Sequence, residues 1–216
     1  MSGKVFQCIP LYVPVCFCLL LGGQLITYYG SRLFYDESRL ILMNSPLDEM
    51  IPFVPAWITV YLLAYLSWAV SVLVILYQSK AHAVRFTSAV LAAFAFSAVI
   101  FVLFPGTMTR PEVPGTDVFS ALTRFIFNAD PALTLCPSYH VMISYFCWRG
   151  LYGCDRIPAW FRPFNFIFLL LVCMSILFVK QHVLIDIPSA IAIGEASWQL
   201  ARIIRPEQMI LSGGND

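Results

Sequence analysis

Residues 86–104 read FTSAVLAAFAFSAVIFVLF and contain no charged side chain. A helix needs roughly 20 predominantly apolar residues to cross the hydrocarbon core of a bilayer. A helix that is apolar on every face must be surrounded by lipid or by other apolar helices. This stretch therefore predicts a transmembrane helix, and it sets the expectation for the rest of the chain.

The composition of the whole chain agrees with that expectation. Of its 216 residues, 60% are hydrophobic and 12% are charged, whereas soluble domains usually have about 45–50% apolar and about 25% charged residues. Lipid tolerates this much apolar surface when the backbone polar groups are satisfied inside helices. The other apolar segments cover residues 9–29, 52–78, 138–153, 163–179 and 184–204. We predict an all-α fold, a single membrane domain over residues 1–216 built as an integral membrane bundle of six transmembrane helices.

The basic residues between these segments predict how the bundle is oriented, because cytoplasmic loops are enriched in Lys and Arg. One side holds Lys4, Lys80, Arg85, Arg149, Arg156, Arg162, Arg202 and Arg205. The other side holds Arg32, Arg39, Arg110, Arg124 and Lys180. We expect a multi-pass protein of the plasma membrane with both termini in the cytoplasm. The basic residues on the outer side suggest that an anion binds there.

The first apolar segment, residues 9–29, has two interpretations. Lys4 precedes it, as a basic residue precedes the apolar core of a secretory signal peptide. No small-x-small cleavage site follows the segment, however, and it is long for such a core. We therefore expect an uncleaved transmembrane helix.

The first polar cluster on the outer side is the run PGTMTRP at residues 105–111. Proline and glycine end the preceding apolar segment and favour a turned or extended path. Arg110 then lies near the membrane surface, where its planar guanidinium suits a pair of phosphate oxygens. An arginine that extends to the lipid interface is the alternative interpretation.

The second cluster is Cys136-Pro137-Ser138-Tyr139-His140, directly before an apolar segment. A Pro-Ser pair in this position predicts a helix start with Ser138 as the N-cap. The free backbone N–H groups of the first turn and the helix dipole favour an anion. His140 falls in that first turn, where a histidine can protonate a leaving oxygen. The alternative is a capped helix with an interfacial histidine.

The third cluster contains Ser175, Lys180, His182 and Asp186. His182 and Asp186 are four residues apart, which places them on one face if the stretch is helical. A carboxylate that binds one ring nitrogen fixes the tautomer and leaves the other nitrogen as a nucleophile. Asp186 is followed by Ile187-Pro188, so a role as a helix cap alone is the alternative. Two of the three histidines of the chain therefore lie in clusters on the outer side.

Together these clusters resemble the type 2 phosphatidic acid phosphatase superfamily. The pattern of that superfamily is K-x6-R-P, then P-S-x-H, then S-R-x5-H-x3-D, on a six-helix membrane core. The resemblance covers about residues 50–204. It rests on Arg110-Pro111, on Pro137-Ser138-x-His140, and on Ser175 through His182-x-x-x-Asp186.

The resemblance implies both an activity and roles for the residues. The chain would be a membrane lipid phosphatase that hydrolyses phosphate esters of lipids at the outer face. His182 would attack phosphorus to give a phosphohistidine, Asp186 would orient His182, and His140 would protonate the leaving alcohol and then activate the acceptor. The substrate-binding residues would be Arg110, Ser138, Tyr139 and Lys180.

The chain departs from the family pattern at two positions. The first lysine of the pattern falls on Leu103, and the arginine after the serine falls on Ile176. Lys180 lies one helical turn beyond Ile176, so it is a candidate to supply the missing cation. The Lys-Gln-His sequence is similar to the branch that includes sphingomyelin and inositol phosphorylceramide synthases. Members of that branch move a phospho-headgroup to a lipid alcohol.

Other classes of function remain as alternatives. A phosphotransferase that moves a phospho-headgroup between lipids is the first, and a catalytically silent lipid-binding or transport protein is the second. We expect no cofactor and no metal, because no carboxylate cluster suits magnesium. The expected partners are a phospholipid or other lipid phosphate and the bilayer. A homo-oligomer is left open, and the net charge of +1 without a basic run indicates no nucleic-acid partner.

Overall fold

A computed structural model describes residues 9–34 and 37–212 of the chain. The protein is mostly helical, with 71% helix and 2% strand. Lys4, which contributed to the predicted orientation, lies outside the described residues. The helices at the six predicted segments are α1 (Tyr12–Ser31), α3 (Ile58–Gln78), α4 (Lys80–Leu103), α6 (Tyr139–Gly150), α7 (Phe161–Phe178) and α8 (Asp186–Ile204).

Shorter elements connect these helices. They are α2 (Pro46–Met50), α5 (Val118–Ala129), α9 (Pro206–Ser212), the 3-10 turns Glu37–Arg39 and Pro55–Trp57, and the strands β1 (Ile41–Leu42) and β2 (Gly106–Thr107). The strands pair in parallel, with Ile41 opposite Gly106 and Leu42 opposite Thr107. The pairing joins the segment after α1 to the segment after α4.

Four helical segments are long and apolar enough to cross a membrane. Within the described residues they are Tyr12–Ser31, Pro55–Gln78, Lys80–Leu103 and Phe161–Phe178. The predicted segment 138–153 forms the 12-residue helix α6, which rises about 18 Å and is shorter than the roughly 30 Å of a bilayer core. The predicted segment 184–204 forms α8, whose length is sufficient but whose sequence includes Asp186, Glu195 and Arg202. These two segments are therefore not transmembrane candidates by length and composition.

Helix α4 lies at the centre of the bundle, where it packs against α1, α3, α8 and α9. Its buried face includes Ala83, Ala89 and Ala93, and small residues let neighbouring helices approach closely. Helices α6 and α8 also approach closely, because a Cβ placed on Gly194 would lie 2.9 Å from Cδ1 of Tyr145. The packing of α6 on α8 brings the start of α6, which carries His140, close to the turn before α8, which carries His182.

The short helix α2 is held against the segment before α8. Its N-terminus has a capping box, in which the Ser45 side chain accepts from the backbone N–H of Asp48 and the Asp48 side chain accepts from the backbone N–H of Ser45. Asp48 is buried, and its Oδ1 accepts the backbone N–H of Leu184 at 2.7 Å. The backbone carbonyl of Asp48 accepts from Nζ of Lys180 at 2.7 Å. Two hydrogen bonds thus connect α2 to residues on either side of His182.

Candidate functional site

His182 and Asp186 form a buried pair at the start of α8. Nδ1 of His182 lies 2.8 Å from Oδ2 of Asp186, and the exposed fractions of the two side chains are 8% and 0%. The same oxygen accepts the backbone N–H of Val183 at 3.1 Å. A carboxylate at Nδ1 favours the tautomer that carries its proton there, so Nε2 keeps a free lone pair.

The local backbone explains why the two side chains meet. Helix α7 ends at Phe178, and the backbone N–H groups of Gln181 and His182 both return to the carbonyl of Ile176. Asp186 is the first residue of α8, and its carboxylate reaches back over the turn. The predicted contact between His182 and Asp186 is present. Its predicted basis in a shared helical face is wrong, because His182 lies in a turn.

His140 lies in the first turn of α6, beside His182. Ser138 is the N-cap, as predicted, and its side chain accepts the backbone N–H of Val141 at 3.4 Å. The ring centroids of His140 and His182 are 5.8 Å apart. Nε2 of His140 lies 3.2 Å from the hydroxyl of Tyr65. The two histidines, which are distant in sequence, therefore share one site.

Both histidines line a cavity of about 270 Å³. The other lining side chains include Asp130 and the aromatic rings of Tyr28, Tyr61, Tyr65 and Tyr139. A second cavity of about 140 Å³ lies between α1, α3, α4 and α6, and its lining is almost entirely apolar. Gln24 and Tyr65 line both cavities. A polar site with two histidines thus adjoins an apolar cavity inside the bundle.

Arg110 lies behind the wall of this cavity. Its Nη1 donates to the backbone carbonyl of Asp130 at 2.7 Å, and its Nη2 donates to Oε1 of Gln181 at 2.7 Å. Its guanidinium also lies over the ring of Phe127, 4.6 Å from the ring centroid. Arg110 therefore binds the backbone of Asp130 and the side chain of Gln181, the residue before His182, so both of these hydrogen bonds go to protein acceptors.

Lys180 lies beyond the end of α7, whereas the sequence predicted it on that helix, one turn after Ile176. The helix ends two residues earlier, at Phe178, and Lys180 has a left-handed backbone with φ of 56°. Its ammonium donates to the carbonyl of Asp48, whereas Ile176 is fully buried. The prediction that Lys180 takes up the position of a cation one turn beyond Ile176 is therefore wrong in its geometry.

The remaining predicted residues divide between the cavity and the helix interiors. Tyr139 lines the cavity, and its hydroxyl lies 2.9 Å from Oγ1 of Thr27. Ser138 is fully buried at the N-cap of α6. The hydroxyl of Ser175 donates to the carbonyl of Val172 within α7 at 2.9 Å. Ser175 thus satisfies its hydroxyl locally, within its own helix.

A further ion pair, not predicted as part of the site, borders the cavity. The carboxylate of Asp130 accepts from Nη2 of Arg32 at 2.8 Å and from the hydroxyl of Tyr28 at 3.0 Å. Arg32 follows the end of α1, a helix outside the motif region 50–204. The basic residues of the outer side were predicted to bind an anion. For Arg32, that anion is the carboxylate of Asp130 in the protein itself.

Two groups beside the site have shifted pKa values. Burial lowers the pKa of the Lys180 ammonium, and the nearby Asp48 opposes this shift. Burial raises the pKa of the Asp48 carboxyl, but hydrogen bonds from Ser45 and from the backbone of Leu184 outweigh burial and leave that pKa lowered. Asp48 therefore favours its charged form in the folded protein.

Within residues 9–34 and 37–212, no group of three or more His, Cys, Asp or Glu side chains is arranged to hold a metal ion. The described part of the chain is thus a helical bundle with four membrane-length apolar helices and a buried histidine–aspartate site. Comparison of the chain with protein-family models, curated protein sequences and solved structures finds no match.

Proposed function

We propose that the chain is an integral membrane protein whose bundle spans the bilayer six times. Four helices have the length and composition of spans. Helices α6 and α8 pack among them, so neighbouring helices can shield the polar residues of α8 from lipid, and the short α6 need not meet lipid along the whole depth of the core. The predicted orientation would place the His140–His182 cavity toward the outer face of the plasma membrane.

We infer that this cavity breaks a phosphate ester of a lipid. The observation that carries the inference is the pairing of His182 with Asp186 through Nδ1, with the ring of His140 at 5.8 Å in the same cavity. A nucleophile oriented by a third group, beside a second group that can transfer a proton, is the arrangement that covalent catalysis requires.

In the first half of the reaction, the lone pair of His182 Nε2 forms a bond to phosphorus as the bond from phosphorus to the leaving alcohol oxygen breaks. Protonated His140 gives its proton to that oxygen. The product is a phosphohistidine whose positive charge faces the carboxylate of Asp186. In the second half, His140 takes a proton from water, the oxygen of that water attacks phosphorus, and His182 leaves with its lone pair restored.

The adjoining apolar cavity supports a lipid as the substrate. It shares Gln24 and Tyr65 with the histidine cavity, so a substrate with its phosphate at His182 has apolar space close by. Burial of hydrocarbon there is favourable by roughly 0.8 kcal/mol for each methylene. A small water-soluble phosphate ester would gain nothing from this space.

One observation favours a second candidate, the transfer of a phospho-headgroup to a lipid alcohol. Arg110 and Lys180 donate to protein acceptors, and Arg32 is paired with Asp130. A phosphodiester carries about one negative charge fewer than a phosphomonoester and therefore needs fewer uncommitted cations. In this case the acceptor in the second half would be a lipid hydroxyl in place of water.

The test uses purified protein and phospholipids labelled in the phosphate. Release of water-soluble phosphate supports hydrolysis, and a new labelled phospholipid supports headgroup transfer. Both candidates require label on the protein after alkaline quenching, and this label must be absent from His182→Ala. If folded wild-type protein turns over none of the phospholipids and never becomes labelled, the enzyme proposal is wrong and a silent or transport protein is favoured.

A further inference from the structure

A second polar cavity, of about 500 Å³, lies at the other end of the bundle. It is bordered by the start of α4, the end of α6 and the end of α8. Along α6, its Arg149 follows His140 by nine residues, a helical rise of about 14 Å. Its lining includes the side chains of Ser79, Arg85, Arg149, Trp198 and Arg202. This cavity is separate from the histidine site.

Three arginines make the cavity cationic. Nε of Arg149 donates to Glu195 at 3.0 Å, and Arg85 is paired with Glu207. Nη1 of Arg202 donates to the neutral side chain of Gln199 at 3.1 Å. Two carboxylates therefore balance two of the three guanidinium groups, and one positive charge is left over.

Two buried donors at this cavity have no acceptor among the described residues. Trp198 is 3% exposed, and its indole Nε1 has no hydrogen-bond partner there. Nε of Arg85 is likewise buried without a partner. An unsatisfied buried donor is costly unless a ligand or water accepts from it. Both side chains line the cavity, so a small shift of either one would bring its donor within reach of a ligand with several acceptor oxygens.

The backbone also favours an anion here. Helix α4 begins at Lys80 with Ser79 as its N-cap, and the positive end of the dipole of this 24-residue helix borders the cavity. The guanidinium of Arg149 lies 5.0 Å from the centre of the Trp198 ring, which orients its flat fork. A tetrahedral oxyanion suits this combination of the α4 N-terminus, the oriented guanidinium of Arg149 and the free indole N–H of Trp198.

We propose that this cavity binds the phosphate group of an anionic ligand, at a site distinct from the His140–His182 cavity. A phospholipid headgroup and free inorganic phosphate share this chemistry. Basic pockets between membrane helices are suited to anionic headgroups. The site requires no catalysis, so the proposal stands or falls separately from the proposed function.

Native mass spectrometry of detergent-purified protein tests the proposal. All proteins carry His182→Ala, so that bound lipid is not turned over. The probes are phosphatidylglycerol, the zwitterionic phosphatidylcholine as a control lipid, and inorganic phosphate alone. Trp198→Phe removes the indole N–H while keeping an aromatic ring, and Arg202→Gln changes an exposed side chain without breaking an ion pair. Arg156→Gln, an exposed arginine that lines a different depression, is the matched control.

We expect phosphatidylglycerol to bind more tightly than phosphatidylcholine. Trp198→Phe and Arg202→Gln should each weaken its binding roughly tenfold, as the loss of a hydrogen bond to a charged group does, while Arg156→Gln should change it less than twofold. Inorganic phosphate that binds with the same dependence on these variants would support the site with free phosphate as its ligand. Equal binding of phosphatidylglycerol and phosphatidylcholine would overturn the proposal. So would an affinity for phosphatidylglycerol that is the same in all variants, together with no binding of inorganic phosphate.

Discussion

Replacement of Asp186 by asparagine tests the chemistry of the His182 site with little change in shape. Oδ2 of Asp186 accepts from two donors, Nδ1 of His182 at 2.8 Å and the backbone N–H of Val183 at 3.1 Å. An amide has one oxygen to accept with and an NH2 group that only donates. If that NH2 group faces Nδ1, it reverses the imidazole tautomer and puts the proton on Nε2, where the lone pair is needed.

The size of the effect follows from these contacts. Loss of a hydrogen bond to a charged group costs about 1.5–3 kcal/mol, which lowers the rate roughly 10- to 150-fold if the charge develops only in the transition state. The reversed tautomer adds to this, and the same change in a serine protease triad lowers kcat by about 10⁴. We therefore expect Asp186→Asn to lower kcat by about 10²- to 10⁴-fold, with a small change in KM.

The assay is turnover of the labelled phospholipid in detergent, with thermal unfolding measured on the same preparations. Asp155→Asn, at an exposed position five residues beyond the end of α6, is the matched control and should retain its turnover. A folded Asp186→Asn protein with kcat within threefold of wild type would refute the role of Asp186 in orienting His182. Asp186 would then act only as a structural acceptor at the start of α8.

The other predictions concern Tyr65, Lys180, Asp48 and the independence of turnover from metal ions. Tyr65→Phe removes the hydroxyl at Nε2 of His140 and should lower kcat roughly fivefold, about 1 kcal/mol; an unchanged pH–rate profile and kcat would contradict the contact. Lys180→Ala should lower the thermal stability by about 1 kcal/mol with a smaller effect on kcat than Asp186→Asn, and a normal melting temperature would contradict its anchoring role. The pKa of Asp48 is lowered in the folded protein, so its charged form stabilises the fold at pH values above the ordinary pKa of a carboxyl group, and this contribution is lost as the pH falls through the lowered pKa. Asp48→Asn should therefore flatten the acid side of a curve of unfolding free energy against pH, and an unchanged curve would refute the assignment. EDTA should leave turnover intact while vanadate inhibits it, and activity that is lost on chelation and restored by magnesium would contradict a metal-independent mechanism.

Much of the fold was predictable because it depends on local patterns. The apolar run at residues 86–104 ends one residue beyond α4, and residues 163–179 match α7 closely. The Pro-Ser signal gave the correct N-cap for α6. Helix α5 was not predicted, because its 12 residues are too few to cross a bilayer and the apolar segments were identified by membrane-spanning length.

The site was predictable only where its residues lie close together in a motif. His140, His182 and Asp186 could be found from their spacing. Asp130, Arg32 and Tyr28 could not, because their contacts depend on the packing of α1 against the bundle, about 100 residues away in the chain. Lys180 was misplaced because nothing in the sequence indicates that α7 ends at Phe178 or that a lysine adopts a left-handed backbone.

The close approach of α8 to α6 at Gly194 affects how inactive variants of this protein should be interpreted. Gly194 follows Asp186 by eight residues, so it lies about 12 Å along α8 from the carboxylate. A side chain there would push against Tyr145 and separate the two helices that set the spacing between His140 and His182. A mutational scan scored by turnover alone would therefore rank Gly194 beside the histidines, although it touches neither. A parallel measurement of protein abundance would not always distinguish Gly194 from a catalytic residue. A helix shift of a few tenths of an ångström can leave the fold intact while it misaligns a proton donor.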